Sequence, residues 1–345
     1  MEHSDTNSIL TTFDAKHGKV VITYGTTMKH LGPQIIESLG FEENFIALRT
    51  KKFMDTEICL DFESSVRGSD LFIIQSICGP EVNDAFMETL LAIDAARRAS
   101  AHRITLVMPY YGYARQDRVA YPRQPLSAKV IADCLQTVGI DRIIVCDIHV
   151  PQIQGFFSSR TSFDHVRGKH IFISRLAELH KDLKFIVSST DAGGACRCRE
   201  LAQLLSTNLV ILDKRRYADN QAEVMNVIGD VTGANVILYD DICDTAGSLV
   251  HAGDALLKAG ANKIFAAITH PVLSGPAVER LMNSKFEKLF FSDSIPISEE
   301  KAQKLGKRLE IISCKDAVAN VIKCIHEDIS IGDYWNQVEQ SFQVK

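Results

Sequence analysis

The stretch V-I-L-Y-D-D-I-C-D-T-A-G-S-L, residues 236–249, joins an apolar run to a helix-like segment through an acidic turn. The apolar run 236–239 predicts a buried strand, and 248–259 predicts the helix that follows. Strand, glycine-bearing turn and helix form the unit of a parallel α/β sheet, where ligands bind beyond the carboxyl ends of strands. Residues 240–248 therefore indicate both the fold class and the place of the site.

The second half of this turn has the donors of a phosphate site. Backbone N–H groups at a helix N-terminus attract anions, Thr245 and Ser248 add hydroxyl groups, and Gly247 lets the backbone approach a ligand. The sequence contains no G-x-x-x-x-G-K-[ST] and no G-x-G-x-x-G, so neither a Walker A loop nor a dinucleotide site is expected. The pattern favours a phosphosugar ligand.

Three carboxylates, Asp240, Asp241 and Asp244, stand in the same turn. They cannot serve a phosphate directly, but they could accept hydrogen bonds from sugar hydroxyls or face hydrated Mg²⁺. The alternative is an ordinary helix N-cap with acidic residues in the first turn. One carboxylate would fit that alternative better than three do.

Composition excludes several classes of protein. The 345 residues carry a net charge of -5, whereas a nucleic-acid-binding domain is usually basic. No apolar run approaches the roughly 20 residues that span a bilayer. The nine cysteines are odd in number and scattered, which argues against a disulfide framework and predicts a reducing, cytoplasmic location. The lone C-x-C of Cys196 and Cys198 does not indicate a zinc site.

Short β-branched runs alternate with helical patterns along the chain, which predicts two similar α/β halves, each a mostly parallel sheet flanked by helices. The predicted strands are 20–24, 71–75, 104–108, 142–146, 185–188, 209–212, 236–239 and 263–269, and the predicted helices are 83–100, 128–138, 173–180, 193–205, 248–259 and 275–283. An irregular segment, 155–168, is expected to divide the halves. The predicted organisation is a polar tail 1–18, a first domain 19–165, a second domain 166–326, and a segment 327–345 that packs back on the first domain.

Residues 236–249 resemble the phosphoribosyl-diphosphate loop of type I phosphoribosyltransferases. The resemblance to one family of this fold, the ribose-phosphate diphosphokinases or phosphoribosyl-pyrophosphate synthetases, extends over residues 19–335. It rests on K-K-F-M-D-T-E (51–57), S-S-V-R-G-S-D (64–70), Y-A-R-Q-D-R (113–118), C-D-I-H-V-P-Q-I-Q-G-F-F (146–157), S-T-D-A-G-G (189–194) and D-K-R-R (213–216). The family transfers the diphosphate of ATP to the anomeric hydroxyl of ribose 5-phosphate.

The resemblance implies a role for residues in each motif. The ribose 5-phosphate site would comprise Asp240, Asp241, Asp244, Thr245, Ala246, Gly247 and Ser248. The ATP site would comprise Phe53, Asp55, Thr56, Glu57, Arg115, Gln116 and Arg118, with His149, Asp191 and Asp147 around its Mg²⁺. Lys214 and Arg216 would be the catalytic residues of a lid that closes over the reacting phosphates. Charge neutralisation by such residues suits diphosphoryl transfer.

Regulation and assembly are further expectations from the resemblance. Residues matching Ser65, Arg67, Ser100, Arg123 and Ser330 form the regulatory site of phosphate-activated members, which build hexamers from dimers. Two departures stand out: some relatives have lysine where Cys196 stands, and some have serine where Gly332 stands. Two alternatives stay open, namely a phosphoribosyltransferase, which shares the loop, and a non-catalytic regulatory homologue.

Overall fold

The structure is a computed structural model that describes residues 17–215 and 224–342, without the side chains of residues 214, 215, 224 and 225. Its first half contains β1 (Val20–Tyr24), α1 (Gly32–Leu39), β2 (Leu48–Lys52), β3 (Ile58–Phe62), β4 (Asp70–Ile74), α2 (Val82–Arg98), β5 (Arg103–Met108), α3 (Ser127–Val138), β6 (Arg142–Cys146) and β7 (Ser162–Val166). The order β1-β4-β5-β6-β7 forms one parallel sheet, and β2 and β3 form a separate hairpin.

The second half begins with α4 (Gly168–Leu183), β8 (Ile186–Ser188), α5 (Ala195–Leu204), β9 (Leu209–Arg215), β10 (Val224–Ile228), β11 (Asn235–Cys243) and α6 (Gly247–Lys258). It continues with β12 (Lys263–Pro271), α7 (Ala277–Met282), β13 (Phe286–Ser292), α8 (Glu299–Leu305), β14 (Leu309–Ile312), α9 (Lys315–His326) and α10 (Ile331–Phe342). The sheet order is β10-β9-β8-β11-β12-β13-β14, parallel except for the antiparallel pair β9–β10.

The parallel sheets confirm the predicted fold class, and their strands show why the sequence reveals them. Every residue of β4 is buried, as are the last five of β5, because helices cover both faces of a parallel sheet. Such strands are continuous apolar runs that stand out from the helical pattern around them.

The segment 155–168 is more regular than expected. It contains β7, which pairs with β6 along its whole length and closes one edge of the first sheet. Its sequence S-F-D-H-V is half polar because an edge strand is only partly covered. The second half then begins directly with α4.

The two halves share one hydrophobic core, which includes Phe72 of β4, Phe172 of α4 and Phe290 of β13. Helix α9 packs against α1, and α10 packs against α4 and α9. Two predictions stay untested, namely the domain limits 19–165 and 166–326 and the packing of 327–345 on the first domain. Helix α9 bridges from the second sheet to the first half. This joint places the carboxyl ends of β6 and β11 close together.

Candidate functional site

The acidic turn begins inside a strand. Strand β11 continues to Cys243, and Asp240 pairs with Ile268 of β12. Pairing on this strand fixes the backbone of Asp240 and Asp241, so their side chains leave the sheet at defined positions. The sequence prediction ended the strand at residue 239, because carboxylates are uncommon inside strands.

The turn then opens into a cradle for an anion. Ala246 has φ 60°, in the left-handed region, and α6 starts at Gly247. The backbone N–H groups of Asp244 and Thr245 have no acceptor among the described residues. Arg280 of α7 donates from Nη1 to the carbonyl oxygen of Thr245 at 3.0 Å and would lie 3.3 Å from a Cβ at Gly247. Free amides at a helix N-terminus can bind phosphate.

Arg197, near the start of α5, explains how the chain tolerates the cluster of Asp147, Asp240 and Asp241. Its Nη1 lies 2.7 Å from Asp241 Oδ1 and 3.2 Å from Asp240 Oδ1, and its Nε lies 3.4 Å from Asp147 Oδ1. Sequence reasoning missed Arg197, although it stands three residues beyond the S-T-D-A-G-G motif, on the first turn of the helix after β8. An arginine fork suits several carboxylates at once.

Electrostatics separate the two adjacent acids. Burial disfavours ionisation of both, yet Arg197 and His149 hold the pKa of Asp241 far below its usual range. Burial and the neighbouring charge of Asp241 raise the pKa of Asp240 instead. The hydroxyl of Thr190 donates to Asp240, and His149 Nδ1 lies 2.7 Å from Asp241 Oδ2. This hydrogen bond with Asp241 raises the pKa of His149, and it joins the two halves of the chain at the site.

Asp147 and His149 belong to a tight turn after β6. Asp147 has φ 36°, and its carboxylate is buried, with the Thr269 hydroxyl 2.6 Å from Oδ2. Two histidines that sequence reasoning missed, the half-buried His165 and the buried His270, hold the same turn. His165 Nε2 accepts from the N–H of Ile148 at 3.0 Å, and His270 Nε2 lies 3.1 Å from the Cys146 carbonyl oxygen. Strain of this kind persists only where the surroundings fix it.

The predicted metal residues do not form a closed metal site. Within 17–215 and 224–342, no three His, Cys, Asp or Glu side chains are placed to hold a metal ion. Asp191 is exposed to the cavity and accepts from Gly194 N through Oδ1 at 3.1 Å. His149 is half-buried, and Asp147 is turned inward. Mg²⁺ binds through few carboxylates when substrate phosphates supply the rest, and the oxygens of Asp191 fit that mode.

A cavity of about 570 Å³ brings the two predicted substrate sides together. Its walls include Arg115 and Arg118 of the ATP side and the whole turn from Asp240 to Ser248. Arg115 Nη1 lies 2.6 Å from Asp244 Oδ2, and Ser274 also donates to Asp244. Gln116 follows Arg115 in the sequence but does not line this cavity, and its Oε1 accepts from the Ser127 hydroxyl at 2.5 Å. The two motifs are 129 residues apart in sequence yet in direct contact.

The other predicted ATP residues lie elsewhere in the chain. Phe53, Asp55, Thr56 and Glu57 form the tip of the β2–β3 hairpin and are exposed, and they do not line the 570 Å³ cavity. Phe53 is 49% exposed, with Lys51 Nζ 5.3 Å from its ring centre. The N–H of Glu57 donates to Asp55 Oδ1 at 3.1 Å, and Thr56 has φ 74°. The tip is thus a defined turn that presents an aromatic face and two acids.

The catalytic candidates lie at the limit of what the structure describes. Strand β9 runs to Arg215, past the predicted end at 212, so the backbone of Lys214 pairs with Met225 of β10. The side chain of Lys214 and the whole of Arg216 lie outside the described residues. Their predicted role in the lid stays a prediction.

Part of the predicted regulatory set is assembled within the chain. Arg67 N donates to Ser65 Oγ at 3.3 Å, and Arg67 Nη1 donates to Ser100 Oγ at 3.5 Å. Ser330 caps α10 by accepting from Asp333 N at 3.2 Å, and Arg123, with φ 70°, lies in the segment between β5 and α3. The structure therefore joins Ser65, Arg67 and Ser100 on one surface.

Comparisons with family models and with known proteins identify the family to which this chain belongs. The N-terminal domain model of ribose phosphate pyrophosphokinase matches residues 20–139, and the phosphoribosyl synthetase-associated domain model matches residues 200–336. A Bacillus caldolyticus ribose-phosphate pyrophosphokinase is 44% identical over 321 residues, 92% of this chain and 98% of its own. The chain belongs to the ribose-phosphate pyrophosphokinase family.

Two further relatives extend the family over nearly the same span. The Chlorobaculum tepidum ribose-phosphate pyrophosphokinase is 46% identical over 312 residues, 90% of this chain and 94% of its own. The crystal structure of phosphoribosylpyrophosphate synthetase from Mycobacterium smegmatis superposes with a TM-score of 0.83 at 34% identity, covering 90% of this chain and 99% of that one. The family resemblance and the fold expected from the sequence are thus confirmed.

Proposed function

We propose that the chain transfers the β,γ-diphosphate of ATP to the C1 hydroxyl of ribose 5-phosphate, giving 5-phosphoribosyl 1-diphosphate and AMP for nucleotide biosynthesis. The observation that carries this proposal is the contact between Arg115 and Asp244 at 2.6 Å. It joins a motif expected to bind ATP with one expected to bind the sugar phosphate. Family membership across nine tenths of the chain supports the same reaction.

On the acceptor side, the free amides of Asp244 and Thr245 would bind the 5-phosphate, helped by Thr245, Gly247 and Ser248. Asp240 and Asp241 would accept hydrogen bonds from the ribose hydroxyls. Because Arg197 already balances these acids, the sugar can bind without adding an unpaired charge. Asp244 would exchange Arg115 for the incoming ligand.

On the donor side, the hairpin tip would stack the adenine on Phe53, while Arg115, Gln116 and Arg118 address the nucleotide. Mg²⁺, when bound, offsets charge on the transferred diphosphate, and Asp191 and His149 are the residues that would hold it. Asp147 would orient the turn that carries His149. Lys214 and Arg216 would close over the phosphates and stabilise the transferring group.

Assembly, regulation and location complete the proposal. Because the hairpin tip lies outside the cavity of its own chain, we expect self-association to dimers and hexamers, with the tip completing an ATP site. Control through Ser65, Arg67, Ser100, Arg123 and Ser330 and a cytoplasmic location are part of the same proposal. Within the described ranges, no helix is long and apolar enough to cross a membrane.

The proposed reaction predicts AMP formation that requires ATP, Mg²⁺ and ribose 5-phosphate together. Wild-type protein should release AMP and phosphoribosyl diphosphate in equal amounts, detected by chromatography. No AMP with both substrates present would refute the proposal and favour a regulatory homologue. Diphosphate release from phosphoribosyl diphosphate and a free base would instead indicate a phosphoribosyltransferase.

Lys214→Ala tests the proposed lid within this reaction. We expect the variant to lose most turnover, because a charge aimed at the transferring diphosphate is removed, while ATP binding largely survives. Removal of one such electrostatic contact costs roughly 100- to 1000-fold in kcat. Equal losses in kcat and in ATP affinity, measured calorimetrically with a non-reactive ATP analogue, would contradict the lid role.

A further inference from the structure

The β2–β3 hairpin needs an anchor that its own hydrogen bonds do not provide. Within the described part of the chain, its two strands pair only with each other, through residues 48–52 and 58–62. A two-stranded hairpin is marginally stable in water unless it packs on another element. Its tip carries the exposed Phe53 and the fully exposed Met54, so its contacts with the rest of the fold come from its strands, where Leu48, Leu60 and Phe62 pack against the hydrophobic core.

A buried carboxylate on α2 adds a polar anchor to this packing. Glu88 is only 2% exposed. Its Oε1 accepts from Thr50 Oγ1 of β2 at 2.9 Å and from Thr26 N at 3.1 Å. Its Oε2 accepts from Gln75 Nε2 at 2.8 Å and from the Thr26 hydroxyl. All four donors are neutral, and they come from three segments other than α2.

The network requires a carboxylate rather than any polar side chain of that size. Each oxygen of Glu88 receives two donors, and an ionised carboxylate only accepts. A glutamine would place its NH₂ group against two donors in either orientation. Gln75 is itself fixed, because its amide oxygen lies 2.8 Å from the Thr27 hydroxyl while its nitrogen donates to Glu88.

The same network reaches the segment that carries Arg115. Thr27 Oγ1 lies 2.9 Å from the carbonyl oxygen of Ser76, and Ser76 Oγ accepts from Tyr110 N at 2.9 Å. Tyr110 stands just after β5, five residues before Arg115. One polar network, centred on the buried Glu88, Gln75 and Ser76, therefore touches strand β2 of the hairpin and the start of the Arg115 segment.

We propose that Glu88 is a positioning residue for ATP, which fixes strand β2 through Thr50 and so holds the nucleotide-binding tip in place. This inference rests on the proposed function of the hairpin tip. Glu88 itself touches no substrate. It acts by restricting the hairpin to one orientation, which lowers the entropy lost when ATP binds.

Thr50 offers the sharpest test, because its two conservative replacements separate the hydrogen bond from side-chain shape. Thr50→Val removes the donor and keeps the volume, whereas Thr50→Ser keeps the donor. We expect Thr50→Val to raise KM for ATP by roughly five- to tenfold, the effect of one lost intramolecular hydrogen bond. KM for ribose 5-phosphate should change less than twofold, and Thr50→Ser should restore the wild-type KM for ATP.

Glu88→Gln should act in the same direction and more strongly, with Glu63→Gln, an exposed site just after β3, as its matched control. Amide hydrogen exchange should speed up in residues 48–62 and not in the buried strands β4 and β5. Unchanged KM for ATP in Thr50→Val, or equal rises in both KM values, would overturn the inference. A wild-type protein without AMP formation would instead refute the proposed function. Amide hydrogen exchange in the hairpin would still test whether Glu88 anchors it.

Discussion

At the scale of single residues, the site is governed by how its charges are balanced. Arg197 lies within 3.4 Å of Asp147, Asp240 and Asp241, and its side chain is 17% exposed. The protein thus places a permanent cation where the sequence alone shows only an excess of acid. The position of Arg197 depends on α5 folding back beside β11. No local sequence pattern predicts which arginine will contact which carboxylate.

Replacing Arg197 should therefore destabilise the fold as well as the site. We expect Arg197→Met to lower the free energy of unfolding by about 3–5 kcal/mol, because buried carboxylates lose their counter-ion. Arg197→Lys keeps one charge without the fork and should lose less. Arg199→Met, an exposed position on the same helix, is the control in denaturant titrations. Wild-type stability in Arg197→Met would contradict this account.

Asp244 belongs to the same scale, because the proposed function has it exchange its partner Arg115 for the substrate. In the structure it pairs with Arg115 and accepts from Ser274. We expect Asp244→Ala to raise KM for ribose 5-phosphate much more than KM for ATP, since the sugar-phosphate turn loses an acceptor. Asp254→Ala, farther along α6, serves as the control. A larger rise in KM for ATP would show that Asp244 acts mainly through Arg115.

At the scale of elements, burial decides what the sequence could predict. The fully buried run of β4 was predicted within one residue at each end, because apolar content alone marks a parallel strand. The strand L-R-T-K-K of β2 was not predicted, since its side chains are mostly exposed and polar. Helix α9 was omitted although Val318, Ile322 and Ile325 are buried at helical spacing, so its signal was available.

The candidate site shows the same division between local and long-range information. The turn from Asp240 to Ser248 was found from sequence, because its strand, glycine and hydroxyls are contiguous. His165 and His270 could not be found, since each acts on a turn more than fifteen residues away in sequence. His165 reaches the turn through the register of β6 with β7. His270 reaches it because β12 lies close to the end of β6.

Helix α10 gives a prediction at the scale of an element. Trp335, the only tryptophan of the chain, is 8% exposed and stacks on His170 of α4, with ring centres 3.9 Å apart. Glu339 reinforces this contact through Lys169 Nζ at 2.7 Å. We expect Trp335→Ala to cost about 3–5 kcal/mol of unfolding free energy. Circular dichroism during denaturation measures this, with the exposed Gln337→Ala as control; a loss below about 1 kcal/mol would show that α10 contributes little.

At the scale of the whole molecule, the joint between the halves is built from polar groups as well as a shared core. His149 of the first half meets Asp241 of the second at 2.7 Å, and His30 Nε2 meets the carbonyl oxygen of Asp293 at 2.7 Å. The predicted organisation into similar halves captured the two sheets. It could not predict α9, which leaves the second sheet and packs on α1, because that choice depends on which apolar faces remain uncovered.

Buried histidines make the stability of the whole fold depend on pH. Burial lowers the pKa of His165 and of His170 to about 4, and it lowers the pKa of His270 as well. In the unfolded chain each would titrate near its ordinary pKa of about 6.5. Between pH 6.5 and 4 the unfolded state therefore binds more protons than the folded state, so the free energy of unfolding falls as the solution is acidified.

We expect each of these histidines to contribute a slope of up to about 1.4 kcal/mol per pH unit within that window. His149 acts above that window, because its raised pKa adds stability as the pH falls from the raised value to about 6.5 and a constant amount below it. Guanidinium titrations of wild type at pH 7.5, 6 and 5 should show the decline. His170→Gln should reduce the slope by about one histidine's share, since glutamine occupies similar space without titrating. An unchanged slope would mean that His170 is protonated in the folded protein through Glu339, which lies 2.7 Å from its Nε2.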